Sequence, residues 1–161
     1  MKSKINIVLY SPEIPQNTGN ISRTCAVTGC ALHIIKPIGF EISDRTLKRA
    51  GLDYWDKLEV YYYESYAEFM SKHGGKAMYY FSQRGKRLYS DIPISEDIFL
   101  IFGKESVGLP RELLLENAES TVRIPMLPDR RCLNLSNSVA IAAYELLRKS
   151  GFQGFLLEGE L

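Results

Sequence analysis

The chain has 161 residues, 45% of them hydrophobic and 24% charged, with a formal net charge of +1. That length and apolar fraction suit a single domain spanning residues 1–161 with a real core, and they exclude a disordered or low-complexity protein. No apolar run approaches a membrane helix or a secretory signal, so the sequence reads as soluble and cytoplasmic with no membrane partner.

Near-neutral charge is a weak argument for nucleic acid, but positive charge is clustered. Arg45, Lys48 and Arg49 form one group, Arg84, Lys86 and Arg87 a second, Arg130 and Arg131 a third. Any one cluster is a solvated surface; three beside a nucleotide-type fold make RNA a serious partner. Cys25, Cys30 and Cys132 are odd in number and lack C-x-x-C spacing, which points to a reducing compartment. His33 and His73 complete no zinc pattern with them, so no metal is expected.

In chain order, Ile5 to Tyr10 is an apolar run of strand length, and Ser11 to Gly19 a loop with two prolines. A helix is predicted from Asn20 to Gly29, with Gly29 as its stop. Leu32 to Lys36 is a second strand, and Ser43-Asp44 caps a helix through Lys48 and Ala50. Leu58 to Tyr63 is a strand, Ser65 to Lys72 a helix closed by Gly74-Gly75, and Lys76 to Phe81 another strand. Ser82 to Glu96 is a basic loop region with room for a small element.

Phe99 to Phe102 is a continuous apolar run of the kind buried in parallel sheets. Gly103 ends it, and Leu109-Pro110 opens a helix with Pro near its first turn. The stretch from Arg123 to Leu147 repeats this grammar. In it Asn134 and Ser136 are capping residues ahead of a helix. That helix carries Leu135, Val139, Ala142, Ala143, Leu146 and Leu147 on one broad face. Alternation at this spacing predicts an α/β fold: an open, mostly parallel sheet with helices on both faces.

Several chemistries are disfavoured by missing motifs. There is no G-x-G-x-x-G after the first strand and no G-x-x-x-x-G-K-[ST]. Gly103 to Gly108 contains a serine, but not as G-x-S-x-G and with no nearby His, which argues against a serine hydrolase.

Three segments carry a resemblance. FGKESVGLP, ending at Pro110, and IPMLPDRRCLNLSNSVAIAAYE, beginning at Ile124, resemble the second and third motifs of the SPOUT class of RNA methyltransferases. Asn17-Thr18-Gly19-Asn20-Ile21-Ser22-Arg23-Thr24 is similar to the first motif of its ribose 2'-O-methylating branch. The likeness spans nearly the whole chain and is greatest for the minimal members that methylate the wobble nucleotide of leucine tRNAs.

The resemblance implies a C-terminal trefoil knot, which general rules of chain topology would disfavour. It implies S-adenosylmethionine as cofactor, held by loops around Phe81, at Gly103 to Gly108 and from Ile124 to Asn134. Gly103 would let the backbone approach the ligand. Ile124 would face the adenine, and Cys132 and Leu133 would close over the cofactor. Cys132 stands where many relatives have Ser, so its contact would come from the backbone. Asn134 would touch cofactor or substrate, or only cap the helix.

Arg23 is the implied catalytic residue. Guanidinium stays protonated, so its role would be to bind the phosphate beside the target ribose and ease the developing charge on the 2'-hydroxyl. Asn17 would bond the loop or the ribose, or simply shape a turn. Glu105 would accept a bond near the cofactor or brace its loop, and Arg131 would contact RNA phosphate. The last helix, with Ala140, Ala142, Ala143 and Tyr144, would enter a homodimer interface that shares the active site.

The implied reaction is methyl transfer to the 2'-hydroxyl of nucleotide 34, a cytidine or modified uridine. Three alternatives stay open: the same transfer at another tRNA or rRNA position, a non-catalytic RNA-binding module, and a flavodoxin-like nucleotide binder.

Overall fold

The computed structural model describes residues 3–41 and 58–160. The helix expected from Ser43 through Ala50, and with it Arg45, Lys48 and Arg49, lies outside the described residues.

Seven strands form one sheet: β1 (Lys4–Tyr10), β2 (Ala31–Ile35), β3 (Val60–Tyr63), β4 (Ala77–Phe81), β5 (Arg87–Leu88), β6 (Asp97–Phe102) and β7 (Thr121–Arg123). Their order is β3-β2-β1-β6-β4-β7-β5, and every pairing is parallel. Four α-helices are described: α1 (Pro15–Thr28), α2 (Tyr66–His73), α3 (Arg111–Glu116) and α4 (Leu135–Lys149). The α/β class, the parallel sheet and the expected strands are therefore present, with shifted ends. The room left between Ser82 and Glu96 is taken by the edge strand β5 and a 3-10 turn at Tyr89–Asp91.

The strands are almost wholly apolar because both faces are covered. Ile5, Ile7 and Leu9 of β1 join Ile98, Leu100 and Phe102 of β6 in a core shared with Ile21 and Cys25 of α1 and Val139, Ala142 and Leu146 of α4. The alternate residues Val8, Phe99 and Ile101 meet Phe69 of α2 and Leu113 and Leu114 of α3. Period-two alternation thus divides each strand between two cores. A fully buried side chain such as Ile7 or Leu100 contributes roughly 1.5–3 kcal/mol relative to exposure.

Two helix starts differ from expectation. Asn17, Thr18 and Gly19 are not loop: α1 begins at Pro15, at its first helical position. Ile14 offers no side-chain cap, and its N–H is instead received by Glu105 Oε1 at 3.1 Å. A carboxylate from far along the chain starts this helix, which local sequence cannot reveal. Pro110 sits at the N-cap of α3 rather than inside its first turn, because its ψ of 138° is still extended. Gly29 does end α1, in the left-handed region at φ 73°. Asn134 does cap α4: its Oδ1 receives the N–H groups of Ser136 and Asn137.

Candidate active site

A cavity of about 880 Å³ opens at the carboxyl ends of β4, β6 and β7. Open parallel sheets bind ligands at this edge, where loops leave the strands. A smaller hollow of about 370 Å³ lies beside Ile5, Cys30 and Phe155 at the amino ends of β1 and β2 and holds none of the motif residues.

Phe81, Gly103, Ile124, Cys132, Leu133 and Asn134 all line the large cavity, together with Asn17 and Arg131. Residues scattered over more than fifty positions are brought together because β6, β4 and β7 are sheet neighbours in that order. Phe81 and Phe102, last residues of adjacent strands, stack with centroids 4.4 Å apart and planes at 21°. They give the cavity an apolar aromatic wall, and such a pair adds about 0.5–1.5 kcal/mol beyond the area it buries.

Gly103 has a structural reason to be glycine beside the expected approach to ligand. A Cβ there would collide with the carbonyl carbon of Gly108 and the nitrogen of Leu109. The loop folds back on itself: Lys104 and Gly108 form an antiparallel bridge, Gly108 N–H reaches Lys104 O at 2.9 Å, and Gly108 has φ 72°. Gly103 is therefore required for the loop's own closure.

A hydrogen-bonded clasp holds this loop to the start of α1. Glu105 accepts the N–H of Glu13 at 2.9 Å, the N–H of Ile14 at 3.1 Å and Asn17 Nδ2–H at 3.2 Å. In return Glu13 accepts the N–H of Ser106 at 2.9 Å and its hydroxyl at 3.0 Å. These bonds, with Lys104 nearby, hold the Glu13 carboxyl below its usual range. Of the two roles open to Glu105, the structure shows the brace. Asn17 is buried and completes the clasp by accepting Asn134 Nδ2–H at 3.0 Å. No sequence pattern pointed to the pairing of Glu13 with Ser106 or to the stacking of Phe81 on Phe102. An acid two positions before a helix proline was the only local signal.

Arg23 is not among the residues lining the cavity. It is exposed on α1, about 9 Å along the axis from Asn17 and roughly 120° around it. Asn20, Arg23 and Val27 form an outward stripe there, and Asn137, Ile141, Tyr144 and Arg148 form another on α4, which packs beside α1. Cys132 is exposed in the cavity lining, whereas burial pushes the Cys25 thiol well up and that of Cys30 to about 11. Among the described residues, no three His, Cys, Asp or Glu side chains converge as metal ligands, and no helix is long and apolar enough to cross a membrane.

Comparison with known proteins agrees with this geometry. Residues 4–144 match the SpoU rRNA Methylase family. The chain is 54% identical over 156 residues to a Listeria monocytogenes protein provisionally named tRNA (cytidine(34)-2'-O)-methyltransferase, covering 95% of this chain and 92% of that one. It is 44% identical over 154 residues to the Escherichia coli K12 protein of that name, covering 95% and 98%. A solved structure described by the 2-OH methylation of C/U34 on tRNA superposes with TM-score 0.87 at 42% identity, covering 94% of this chain and 99% of that one. The fold also matches a SpoU methyltransferase from Streptomyces viridochromogenes in complex with AdoMet, at TM-score 0.82 and 21% identity over 96% of this chain and 60% of that one. The chain belongs to the SpoU methylase family and is an RNA methyltransferase.

Proposed function

We propose that this protein transfers a methyl group from S-adenosylmethionine to the ribose 2'-hydroxyl of nucleotide 34, cytidine or modified uridine, in leucine tRNAs. The observation that carries the reading is the meeting of Phe81, Gly103, Ile124 and the Cys132–Asn134 segment around one cavity in a chain of this family. The relatives named for cytidine 34 supply the position.

The cavity fits the cofactor. Its volume of about 880 Å³ lies in the range of cofactor sites, and Phe81 with Phe102 offers an apolar wall to adenine. Ile124, Cys132 and Leu133, which line the same cavity, would help to hold the nucleoside. When bound, the cofactor supplies an electrophilic methyl on a sulfonium. The protein's part is to bind and orient. The Glu105–Asn17–Asn134 clasp keeps the cofactor loops registered against α1, which carries Arg23. Asn17, whose Oδ1 accepts from Asn134 and whose Nδ2–H donates to Glu105, acts by positioning. Arg23 would hold the phosphate next to the target ribose, so the 2'-hydroxyl meets the methyl with its developing charge stabilised while its proton passes to that phosphate or to water.

Arg23 lies outside its own cavity, which supports a homodimer in which the outward stripes of α1 and α4 meet a second copy and bring Arg23 to the partner's cavity. The reading also carries a single domain, a cytoplasmic location and the family's C-terminal trefoil knot. Support for the knot comes from connectivity: β7 lies beyond β4, yet α4 returns to pack on β1, β6 and α1.

A 2'-O-methyl group removes the internal nucleophile of alkaline hydrolysis. Purified protein with S-adenosylmethionine should therefore create one alkali-resistant linkage, at position 34 of a leucine tRNA. A block elsewhere would keep the chemistry and sink the position. No block on any tRNA would overturn the reading.

A further inference from the structure

We propose that Arg84, Arg111 and Arg131 form a phosphate-binding rim at the mouth of the cavity, gripping the backbone of the strand whose ribose enters it. This rests on the RNA-methylating reading above and adds two residues, Arg84 and Arg111, that no motif singled out.

The three arginines come from separate segments: the loop after β4, the first position of α3 and the stretch between β7 and α4. All three line the same cavity and all three are exposed. None takes part in an ion pair among the described residues, where Lys4, Lys36, Lys72, Lys76 and Arg148 supply the cations. The carboxylates at the cavity edge are already engaged. Glu105 receives three N–H groups, and Glu13 receives both donors of Ser106 while facing Lys104.

Guanidinium groups gathered round one opening repel each other and focus positive potential into it. An anion must answer them. S-adenosylmethionine cannot do so alone, because its one carboxylate is outweighed by an ammonium and a sulfonium. Each phosphodiester brings a full negative charge and paired oxygens that match the arginine fork. An RNA strand laid across the opening offers one such group per nucleotide, as a rim of separated arginines requires.

The test is the salt dependence of binding. A leucine tRNA anticodon stem-loop is titrated with the full-length protein over a range of potassium chloride concentrations. Each of Arg84→Gln and Arg111→Gln should lower the slope of log affinity against log salt by about 0.7–0.9. The loss should be the same for a stem-loop of scrambled sequence, because phosphate contacts carry no base information. Arg84→Lys and Arg111→Lys should retain the slope, and unfolding midpoints of all variants should match wild type. An unchanged slope in the double glutamine variant overturns the proposal. So does a loss confined to the cognate sequence, which would assign these residues to bases. The slope reports the rim whether or not methyl is transferred. Wild-type protein that methylates no RNA while the glutamine variants flatten the slope would refute the enzymatic reading and leave the rim standing.

Discussion

Asn134 Nδ2 donates to Asn17 Oδ1 at 3.0 Å, joining the cap of α4 to the first turn of α1 across 117 positions. One side chain thereby does two jobs, because Asn134 Oδ1 also receives the N–H groups of Ser136 and Asn137.

Substitution can separate those jobs. Asn134→Ala should lose both, at about 1–2 kcal/mol of stability. Asn134→Asp keeps the capping acceptor but has no donor for Asn17. In a double-mutant cycle with Asn17→Ala, Asn134→Ala should show a coupling of about 0.5–1.5 kcal/mol by urea unfolding. Strict additivity would mean the bond contributes nothing to holding the two helices in register.

Gly103→Ala should be far more damaging than an ordinary loop substitution. Its Cβ would meet backbone atoms of Gly108 and Leu109, which cannot yield as a side-chain tip can. The loop must open, at roughly 1–3 kcal/mol, and the cavity wall moves with it. Calorimetry should show loss of S-adenosylmethionine binding. Wild-type affinity in this variant would show that the loop's closure is not needed for the site.

Arg23→Ala should slow single-turnover methylation by roughly two orders of magnitude, the scale of losing one group that stabilises developing charge. Cofactor affinity should hold, since Arg23 is assigned to the substrate phosphate and belongs to none of the cofactor loops around Phe81, Gly103 and Ile124. If the site is shared between copies, mixing Arg23→Ala with Gly103→Ala protein should restore part of the activity, because one of the two composite sites is intact. An Arg23→Ala enzyme with normal rates would remove the residue from the mechanism.

Acid should destabilise the protein through the second core. His33 is buried with Nε2 3.2 Å from Asn6 Oδ1 and Nδ1 2.8 Å from the Tyr63 hydroxyl, which also lies 2.9 Å from His73 Nε2. Asn6 Nδ2 donates to Ile98 O, so Asn6 Oδ1 faces His33 and must receive Nε2–H. Nδ1 then accepts the Tyr63 hydroxyl, and Tyr63 oxygen accepts His73 Nε2–H. A proton added to Nδ1 breaks this one-way chain.

Burial first, then the neighbouring His73 and Lys4, lowers the His33 pKa from the usual 6.5 to about 3. The unfolded chain therefore binds a proton that the folded one refuses. Stability is fully present above about pH 6.5 and declines as pH falls from there toward 3. The lowered pKa of His73 acts in the same direction. Urea unfolding at pH 7 and pH 5 should show the fall, and His33→Gln should reduce it. Equal stability at both values in wild type would contradict a neutral buried histidine.

Much of the fold follows from local pattern. Strands from Ile5, Leu32, Lys76 and Phe99 are readable because a parallel strand covered on both faces must be apolar throughout. The stop at Gly29 and the cap at Asn134 are readable because chain-end donors and acceptors need partners within a few residues. The loops round the cavity are readable only through their likeness to a family, since Gly, Pro and small polar residues serve any turn.

What local pattern could not show depends on contacts between distant segments. The start of α1 at Pro15 depends on Glu105, about ninety positions later. The role of Gly103 depends on how the loop returns at Gly108. Arg23 and Asn17 stand six positions apart in one motif, yet helical rotation sends one to the outer surface and the other into the clasp. Arg84 and Arg111 share no motif with Arg131, and sheet order alone sets all three round one opening. Sequence specifies which segments become strand and helix, because burial and capping act over a few residues. Which side chains share a site is decided by tertiary structure, because the strand order that places them exists only once the sheet has formed.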